Sequence, residues 1–541
     1  MKKYLFFLII LLILSVNLYA NPFDMILTGD PVLDDLRYLS IESGKTFLSF
    51  TPPLAPGEIR NFLDSIDEST LSDPAREIYY RLLNRLTLKA PFLSLSDNIF
   101  SGFLNINAEL EGRLSVNPDI SWHPDNSLYA PLLSFSLKLF FTDFLQLYIE
   151  PKIAVKPRDG GIGFTNIPLD QSSQYWPLRS FISMGGSWWN FHLGRDHLYW
   201  GTAHTGSLSF SNNSIYYDFA RVSFFSPTIK YSLIVNQMPL NLDHESNIQL
   251  IKNPEEWDIL PEDKRTTNRY FYLHRIDINL FNKVSIGIME GVLVGNSPLE
   301  IRFLNPLMLF HSLYSWEDYI EWKPALDKNV YGSLVGSFFS VEINYNIIKR
   351  LSVYGQFVMN EIALPSELKA GLQPPNGLGY MAGINYTFTF NKWLSIFYLE
   401  FFYTDPYLYI LSSPFSSFIH QNWDYYLIGH SRDTISFSLG SDFFYNDTLK
   451  LTGNFSWIIS GEKNKDGLLW DWEKSYTAFN ERTPTGTAEN KFVLSACALW
   501  KPYSFLTLKA NITGIISLNN NYIPGEIQTG AQTQFSISFN Y

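Results

Sequence analysis

One stretch of the chain, residues 194–213, brings together side chains that could recognise a ligand or act on one. Arg195 and Asp196 are adjacent charges, Trp200 offers an aromatic face, and His204 can donate or accept a hydrogen bond. Aromatic faces pack on the C–H surfaces of sugars, and guanidinium and carboxylate groups bond to hydroxyls or acidic groups. This combination of residue types indicates a site for a polar, polyhydroxylated ligand.

Three tryptophans outside this stretch lie in polar segments and extend the candidate set. Each also has a structural interpretation, as part of an interfacial aromatic belt or as an anchor that pins loops together. Arg195 and Asp196 have such an alternative too, as an ion pair at the rim of the fold. The candidate ligand-binding residues are Arg195, Asp196, Trp200, His204, Trp176, Trp316 and Trp423.

Catalytic interpretations of the same stretch are weaker. His204, Asp196 and Ser207 could form a triad, but no GxSxG turn or other nucleophile context accompanies them. No HExxH, paired-cysteine or calcium-loop spacing occurs, and Cys497 is the only cysteine. We therefore expect a protein that is not an enzyme and that uses neither a metal nor a cofactor.

From about residue 101 onward, polar and apolar residues alternate with the two-residue period of a β-strand. In the last strand, Phe535, Ile537 and Phe539 lie on one side and polar residues on the other. The pattern recurs eighteen times in our count, and an even number fits a single-chain membrane barrel. We predict that the last strand pairs with the first, at 101–116.

The connections between these strands alternate between short and long. Thr142-Asp143 and Asn391-Lys392 are short hairpin turns, whereas 197–214 and 296–332 are long. Outer-membrane barrels sort their connections in this way, with short turns and both termini in the periplasm, and a soluble sandwich has no reason to do so. We predict an all-β membrane protein: residues 99–541 form an 18-stranded antiparallel transmembrane β-barrel in the cell outer membrane.

The amino-terminal part differs from the rest. Two lysines, an apolar run from Tyr4 to Val16 and Ala20 predict a signal peptide over residues 1–20. Residues 21–98 predict three short helices that form a periplasmic bundle. Start signals for these helices are Asp30-Pro31, Pro56 and Asp73-Pro74.

The predicted lumen carries both signs of charge, including Arg275, Asp277 and Glu290. Mixed charges favour a lumen filled by ion pairs, but an 18-stranded barrel is also wide enough for an aqueous channel, so open and filled lumens both remain possible. The net charge of −12 argues against nucleic acid as a partner. Expected partners are outer-membrane lipid and the barrel assembly machinery.

The stretch at 194–213 and several later segments resemble the capsule assembly Wzi family. The matching features are Gly194-Arg195-Asp196, Trp200-Gly201, Gly206-Ser207-Leu208, Asn212-Asn213, His274-Arg275, Glu290, Leu304-Asn305-Pro306, Tyr354-Gly355-Gln356, Glu400, Asp405-Pro406-Tyr407 and Gly429-His430. One departure is Thr202-Ala203, where the family pattern usually has a Pro-Gly-like pair. The resemblance implies an outer-membrane lectin that holds surface polysaccharide through extracellular loops, without catalysis. The alternative is a porin or substrate-specific channel.

Overall fold

A computed structural model gives the architecture of most of the chain. The predicted signal peptide and the predicted boundary at residues 98 and 99 lie outside the described residues. The structure describes residues 23–86, 95–96, 100–117, 130–141, 144–155, 172–211, 213–214, 216–240, 268–295, 297–310, 335–362, 375–411, 415–421, 425–445, 448–464 and 481–540.

Within these residues, eighteen long antiparallel strands pair in chain order and close into a barrel, as the sequence predicts. The last strand pairs with the first, from Asn107 opposite Asn540 to Val116 opposite Ala531, which confirms the predicted closure. The strands are β1 Phe100–Val116, β2 Ala130–Phe141, β3 Leu145–Val155, β4 Ser172–Gly185, β5 Trp189–Asp196, β6 Tyr217–Phe225, β7 Ile229–Gln237, β8 Arg269–Leu280, β9 Val284–Gly295, β10 Val335–Ile348, β11 Leu351–Glu361, β12 Gly377–Phe390, β13 Trp393–Thr404, β14 Thr434–Tyr445, β15 Leu449–Ser460, β16 Glu489–Tyr503, β17 Leu506–Leu518 and β18 Ile527–Asn540.

The two ends of the barrel differ in their connections. At one end, which we call the turn end, hairpins are tight: Phe281 and Asn282 between β8 and β9 have φ of 56° and 55°, the left-handed conformation of a type I′ turn. The other end, the loop end, carries the long connections. This sorting agrees with the sequence prediction.

The outer wall carries aromatic rows near both ends. Phe401, Phe437, Trp457 and Phe492 lie side by side across β13 to β16 towards the loop end, and Trp393 packs on Tyr445 at the turn end with ring centroids 5.0 Å apart. Phe401 lies eight positions after Trp393 along β13. At about 3.4 Å per residue and a tilt of about 40°, the rows lie roughly 20 Å apart, close to the height of a membrane's apolar band.

The alternation of inward and outward side chains along the strands contradicts one prediction, that Glu290 faces the lumen. Arg275 and Asp277 are buried inside the barrel, as predicted. Met289 also packs into the lumenal core, so its neighbour Glu290 faces outward rather than into the lumen. The prediction for Glu290 is wrong because polarity normally marks the lumenal side, and this carboxylate is a polar group on the outer wall.

Three helices precede the barrel: α1 Val32–Ser43, α2 Pro56–Leu63 and α3 Asp73–Arg85. The predicted signals operate at their ends: Asp30 Oδ1 accepts the Val32 N–H at 3.0 Å, and Gly44 ends α1 with a φ of 69°. Their apolar faces pack on one another and on Leu394 and Ile396 of β13. Among the described residues, no helix is long and apolar enough to span a membrane.

Residues 23–86, which we call the N-terminal segment, lie against the barrel at its turn end. The Thr46 N–H donates to the Asn282 carbonyl at 2.9 Å, so the segment binds the turn between β8 and β9. The Lys230 ammonium, on the inner wall of β7, contacts the Glu58 carboxylate of α2 at 2.5 Å. On β6, Arg221 donates to the carbonyls of Thr51 and Pro53. The segment therefore covers the lumen at the turn end.

Candidate functional site

The connection between β5 and β6 folds into the lumen instead of extending from the barrel. We call residues 197–211 the inward loop. Leu198, Trp200, Leu208 and Phe210 have at most 1% exposure and belong to a core that includes lumen-facing residues of several strands. Trp200, a candidate for contact with a ligand, is therefore buried and offers no accessible aromatic face. Burying four large apolar side chains is favourable, and their spacing gave no indication of which way the loop folds.

Trp200 joins the inward loop to the N-terminal segment. Its indole N–H donates to the Pro52 carbonyl at 3.3 Å, and its backbone N–H donates to the Phe210 carbonyl at 3.0 Å. The Arg275 guanidinium lies 5.7 Å from the centre of its ring. With no exposed surface, this tryptophan is a packing residue between three parts of the structure.

Glu400, on the inner wall of β13, holds the centre of the inward loop. Its carboxylate accepts the backbone N–H of His204 at 2.6 Å and that of Thr205 at 3.0 Å. It also accepts the Thr205 hydroxyl at 2.5 Å and the Tyr354 hydroxyl at 2.6 Å. Four donors satisfy this buried charge, as burial of a carboxylate requires.

His204 is held on the inner wall by stacking. Its ring lies parallel to that of Tyr398, with centroids 4.0 Å apart and an angle of 2° between the planes. The Tyr398 ring lies directly over Gly440, so a Cβ atom at residue 440 would overlap the ring. His204 Nε2 contacts Asn385 Oδ1 at 3.0 Å. Burial lowers the pKa of His204 well below its usual range, so the imidazole is neutral.

A second connection, between β13 and β14, also enters the lumen and holds the inward loop. The Tyr409 hydroxyl donates to the Leu208 carbonyl at 2.7 Å. On the inner wall of β11, Gln356 Oε1 accepts the Leu208 N–H at 2.7 Å, and its Nε2 donates to the Ser209 hydroxyl at 2.9 Å. The motifs around Tyr354-Gly355-Gln356 and Glu400 therefore act here as anchors for a folded loop.

Arg195 and Asp196 lie on opposite faces of β5 and do not pair with each other. Asp196 has no exposure and accepts Arg179 Nε at 2.8 Å. Arg195 faces outward, bonds to both carboxylate oxygens of Asp218 at 2.8 and 2.9 Å, and lies 3.8 Å above the Tyr216 ring. The alternative interpretation of these residues as an ion pair holds only with other partners, because successive strand residues point to opposite sides of a sheet and cannot pair with each other.

The structure does not assemble a triad from the inward loop. Ser207 Oγ donates to the Trp200 carbonyl, His204 contacts Asn385, and Asp196 contacts Arg179. Among the described residues, no three His, Cys, Asp or Glu side chains are placed to hold a metal ion. Of the other candidates, Trp316, Trp423 and the side chain of Trp176, which lies in β4, are outside the described residues.

One charged cluster at the loop end was not predicted. Lys463, just after β15, contacts the Glu481 carboxylate at 2.5 Å and lies 4.5 Å from the centre of the Tyr407 ring. Partial burial lowers the pKa of Lys463, but hydrogen bonds to Glu481 and Tyr407 outweigh this and raise it. The side chains of Lys463 and Glu481 keep 25% and 38% exposure. No sequence pattern connects these residues, which lie on opposite sides of one long connection.

The lumen is packed unevenly. The inward loop packs against the inner wall of β6 to β13, whereas many amides and hydroxyls on the inner wall of β15 to β18 and β1 are only half-buried. Register alternation places these groups on the lumenal side. They include Asn107, Asn454, Ser456, Ser495, Asn511, Thr513, Gln532 and Gln534.

Comparisons with known proteins identify the class of fold. No family model matches the chain, and no curated protein matches its sequence. Among solved structures it is similar to Wzi of Escherichia coli, an outer-membrane protein involved in group 1 capsule assembly and a carbohydrate-binding β-barrel, with 12% identity over 95% of this chain and 98% of that one and a TM-score of 0.58.

Two other outer-membrane barrels match less well. OprD of Pseudomonas aeruginosa is 8% identical over 81% of this chain and 95% of that one, with a TM-score of 0.42. OmpT of Vibrio cholerae is 9% identical over 83% of this chain and 99% of that one, with a TM-score of 0.36. The protein is a large outer-membrane β-barrel, and its fold is similar to that of Wzi.

Proposed function

We propose that this protein is a Wzi-like, non-enzymatic lectin of the outer membrane that binds a surface polysaccharide at its loop end. The observation that carries the proposal is that the chain fills much of its own lumen. The N-terminal segment covers the turn end, and the inward loop is fixed to the wall by Glu400 and Gln356. A barrel that closes itself in this way fits a binding protein better than a wide pore.

Burial limits which predicted residues can touch a ligand directly. Asp196 and Trp200 have no exposed surface, and His204 is stacked on Tyr398. In the proposal these three hold the loop-end surface in place rather than contact the glycan. Arg195 keeps 28% exposure. Trp176, Trp316 and Trp423 remain candidates for stacking on sugar rings.

The cluster of Lys463, Glu481 and Tyr407 adds a loop-end contact with suitable chemistry. An ammonium and a carboxylate fixed side by side can bond to sugar hydroxyls, and the ammonium can also pair with an acidic sugar. Both side chains are held by Tyr407 and by each other. A prearranged pair loses less conformational freedom when it binds.

The direct test is binding of the purified protein to polysaccharide from its own cell envelope. We expect Lys463→Met to weaken binding about 10- to 100-fold, because a hydrogen bond to a charged group contributes about 1.5–3 kcal/mol. Lys392→Met is the matched control, since Lys392 is exposed at the turn end and should leave binding unchanged. The proposal is wrong if the wild type does not bind and if deletion of the gene leaves cell-associated glycan unchanged.

A channel for small polar solutes is the second candidate, and one observation favours it. The inner wall of β15 to β18 and β1 offers half-buried amides and hydroxyls beside the packed core. Planar-bilayer recording separates the two functions: steady large conductance supports the channel, and silence supports the closed lectin. Cys497 lies half-buried on this wall. If solutes pass along this route, a thiol reagent should lower the conductance of the wild type and leave that of Cys497→Ser unchanged.

A further inference from the structure

An ionisable pair lies on the outer wall of the barrel. His274 of β8 and Glu290 of β9 are opposite each other in register, with Nε2 and Oε2 3.1 Å apart. Their neighbours Arg275 and Met289 face the lumen, which places the pair on the outer side. Polar groups at this position would be costly against lipid unless something covered them.

The chain after β9 covers this part of the wall. Residues 297–310, which we call the strap, run back along the outer faces of β7 to β9. Phe303 stacks on Tyr272 with ring centroids 4.9 Å apart, and Phe310 stacks on His274 at 4.5 Å. Phe303 and Phe310 have at most 1% exposure and pack with outward-facing valines of β9.

The strap reaches deep along the wall. It leaves β9 at the loop end, yet the Pro306 carbonyl accepts the Tyr231 hydroxyl at 3.4 Å. Tyr231 lies two residues from the first residue of β7, Ile229, which adjoins the turn end. Tyr231 is in register with Ile276, four residues beyond Tyr272 along β8. The contacts of the strap with Tyr272 and Tyr231 therefore span roughly 10 Å of the wall, about half of the distance between its aromatic rows.

The outer surface of the strap is mainly apolar, although Asn305 is also exposed and Arg302 forms an ion pair with Glu300. Leu307 has 89% exposure, Ile301 79%, Leu309 67% and Leu299 50%. Four large aliphatic side chains on one short segment would be unfavourable in water but suit hydrocarbon.

The backbone of the strap meets part of a further requirement of the membrane interior. There, non-helical backbone needs its polar groups satisfied within the protein. The Glu300 N–H donates to the Tyr272 hydroxyl at 2.8 Å, and the Leu307 N–H donates to Asn305 Oδ1 at 3.1 Å. The N–H groups of Phe303, Asn305 and Met308 bond to carbonyls three residues earlier. Pro298 and Pro306 have no N–H.

We propose that the strap is a membrane-embedded element that binds acyl chains of the outer leaflet through Leu299, Ile301, Leu307 and Leu309. It replaces the polar His274–Glu290 surface of the barrel by an apolar one. The long connection that contains it therefore begins inside the membrane and not above it. The proposal concerns a surface distinct from the loop-end glycan site and stands independently of that function.

The test measures the surroundings of the strap in vesicles of outer-membrane lipid. A spin label is placed by Leu307→Cys in a Cys497→Ser background, and collisions with oxygen and with a water-soluble nickel chelate are compared. We expect high oxygen and low nickel accessibility, as for Leu439→Cys on the bare wall of β14, where Leu439 has 55% exposure. Ser69→Cys, exposed on the N-terminal segment, is the aqueous control and should give the opposite ratio.

Two outcomes overturn the proposal. Nickel accessibility at residue 307 equal to that of Ser69→Cys means that the strap lies in water. Low accessibility to both reagents, together with a higher oligomeric state, means that another protein rather than lipid covers it. Leu309→Cys repeats the measurement at a second position, and circular dichroism verifies that each variant keeps the barrel.

Discussion

The Glu400 carboxylate accepts the backbone N–H of His204 at 2.6 Å, which joins a wall strand to a loop 196 positions earlier in the chain. A backbone amide in the packed part of the lumen has little access to water, so it needs a partner from the wall. Glu400 serves two consecutive amides at once. The inward loop is therefore an integral part of the barrel interior.

Replacement of this anchor should release the loop. In Glu400→Ala, the amides of His204 and Thr205 and the Tyr354 hydroxyl lose their acceptor, which we expect to cost about 3–5 kcal/mol locally. Hydrogen exchange at both amides should become roughly 10²- to 10³-fold faster or more. Glu77→Gln, exposed on α3, is the control. Unchanged exchange in Glu400→Ala would mean that the loop is held mainly by apolar packing.

Substitution of Trp200 tests whether this residue has a structural role or a ligand-binding one. We expect Trp200→Ala to lower the free energy of unfolding by about 3–5 kcal/mol, because the side chain is fully buried. Affinity of the remaining folded protein for polysaccharide should change little. Thermal unfolding and binding to the same detergent-solubilised sample measure both quantities. A large loss of affinity without loss of stability would contradict this assignment.

The ion pair between Lys230 and Glu58 should hold the N-terminal segment on the wall. Lys230→Met leaves a buried carboxylate without its cation and should destabilise docking by about 3–5 kcal/mol. The double variant with Glu58→Gln should recover much of this, since glutamine can still accept the Ala55 N–H that Glu58 accepts at 3.0 Å. Limited proteolysis of the segment reports docking. Equal damage in the single and double variants would refute the pairing argument.

Acid should weaken the same docking through Asp24. Burial raises the pKa of Asp24, but Lys138 and Arg85 outweigh this and lower it below its ordinary value. A carboxyl whose pKa is lowered by folding stabilises the folded state above its unfolded pKa of about 3.9, and this contribution is lost as the pH falls through the folded value. Proteolysis by an acid-active protease should therefore increase below about pH 4. In Asp24→Asn, docking of the N-terminal segment should already be weaker at neutral pH, and its proteolysis should increase less in acid.

Strand pattern and strand closure were predictable because each depends on local alternation. The sequence predicts the first strand at 101–116, within one residue of the observed Phe100–Val116, and places the last strand beside it. A two-residue period follows directly from side chains that face lipid and lumen in turn. The three helices were predictable for a similar reason, since proline and Gly44 mark their ends.

The site was less predictable because long-range packing determines it. Trp200 is on a long connection, and composition does not distinguish a loop that enters the lumen from one that extends into water. The prediction that Glu290 faces the lumen was wrong for a related reason. Its polarity suggested a lumenal position, but it lies on the outer wall, where the strap covers it. The pairing of Lys463 with Glu481 has no sequence signal, because it depends on where two ends of a loop meet.

The contacts of the N-terminal segment have a consequence for the order of assembly. Asp34 of α1 bonds to Lys450, 416 positions later, at 2.7 Å, and the Thr46 hydroxyl donates to the carbonyl of Lys283, 237 positions later. Because these partners are distant in the chain, the segment cannot dock until strands made much later are in place. Residues near the start of the chain must therefore remain undocked until these later strands have formed.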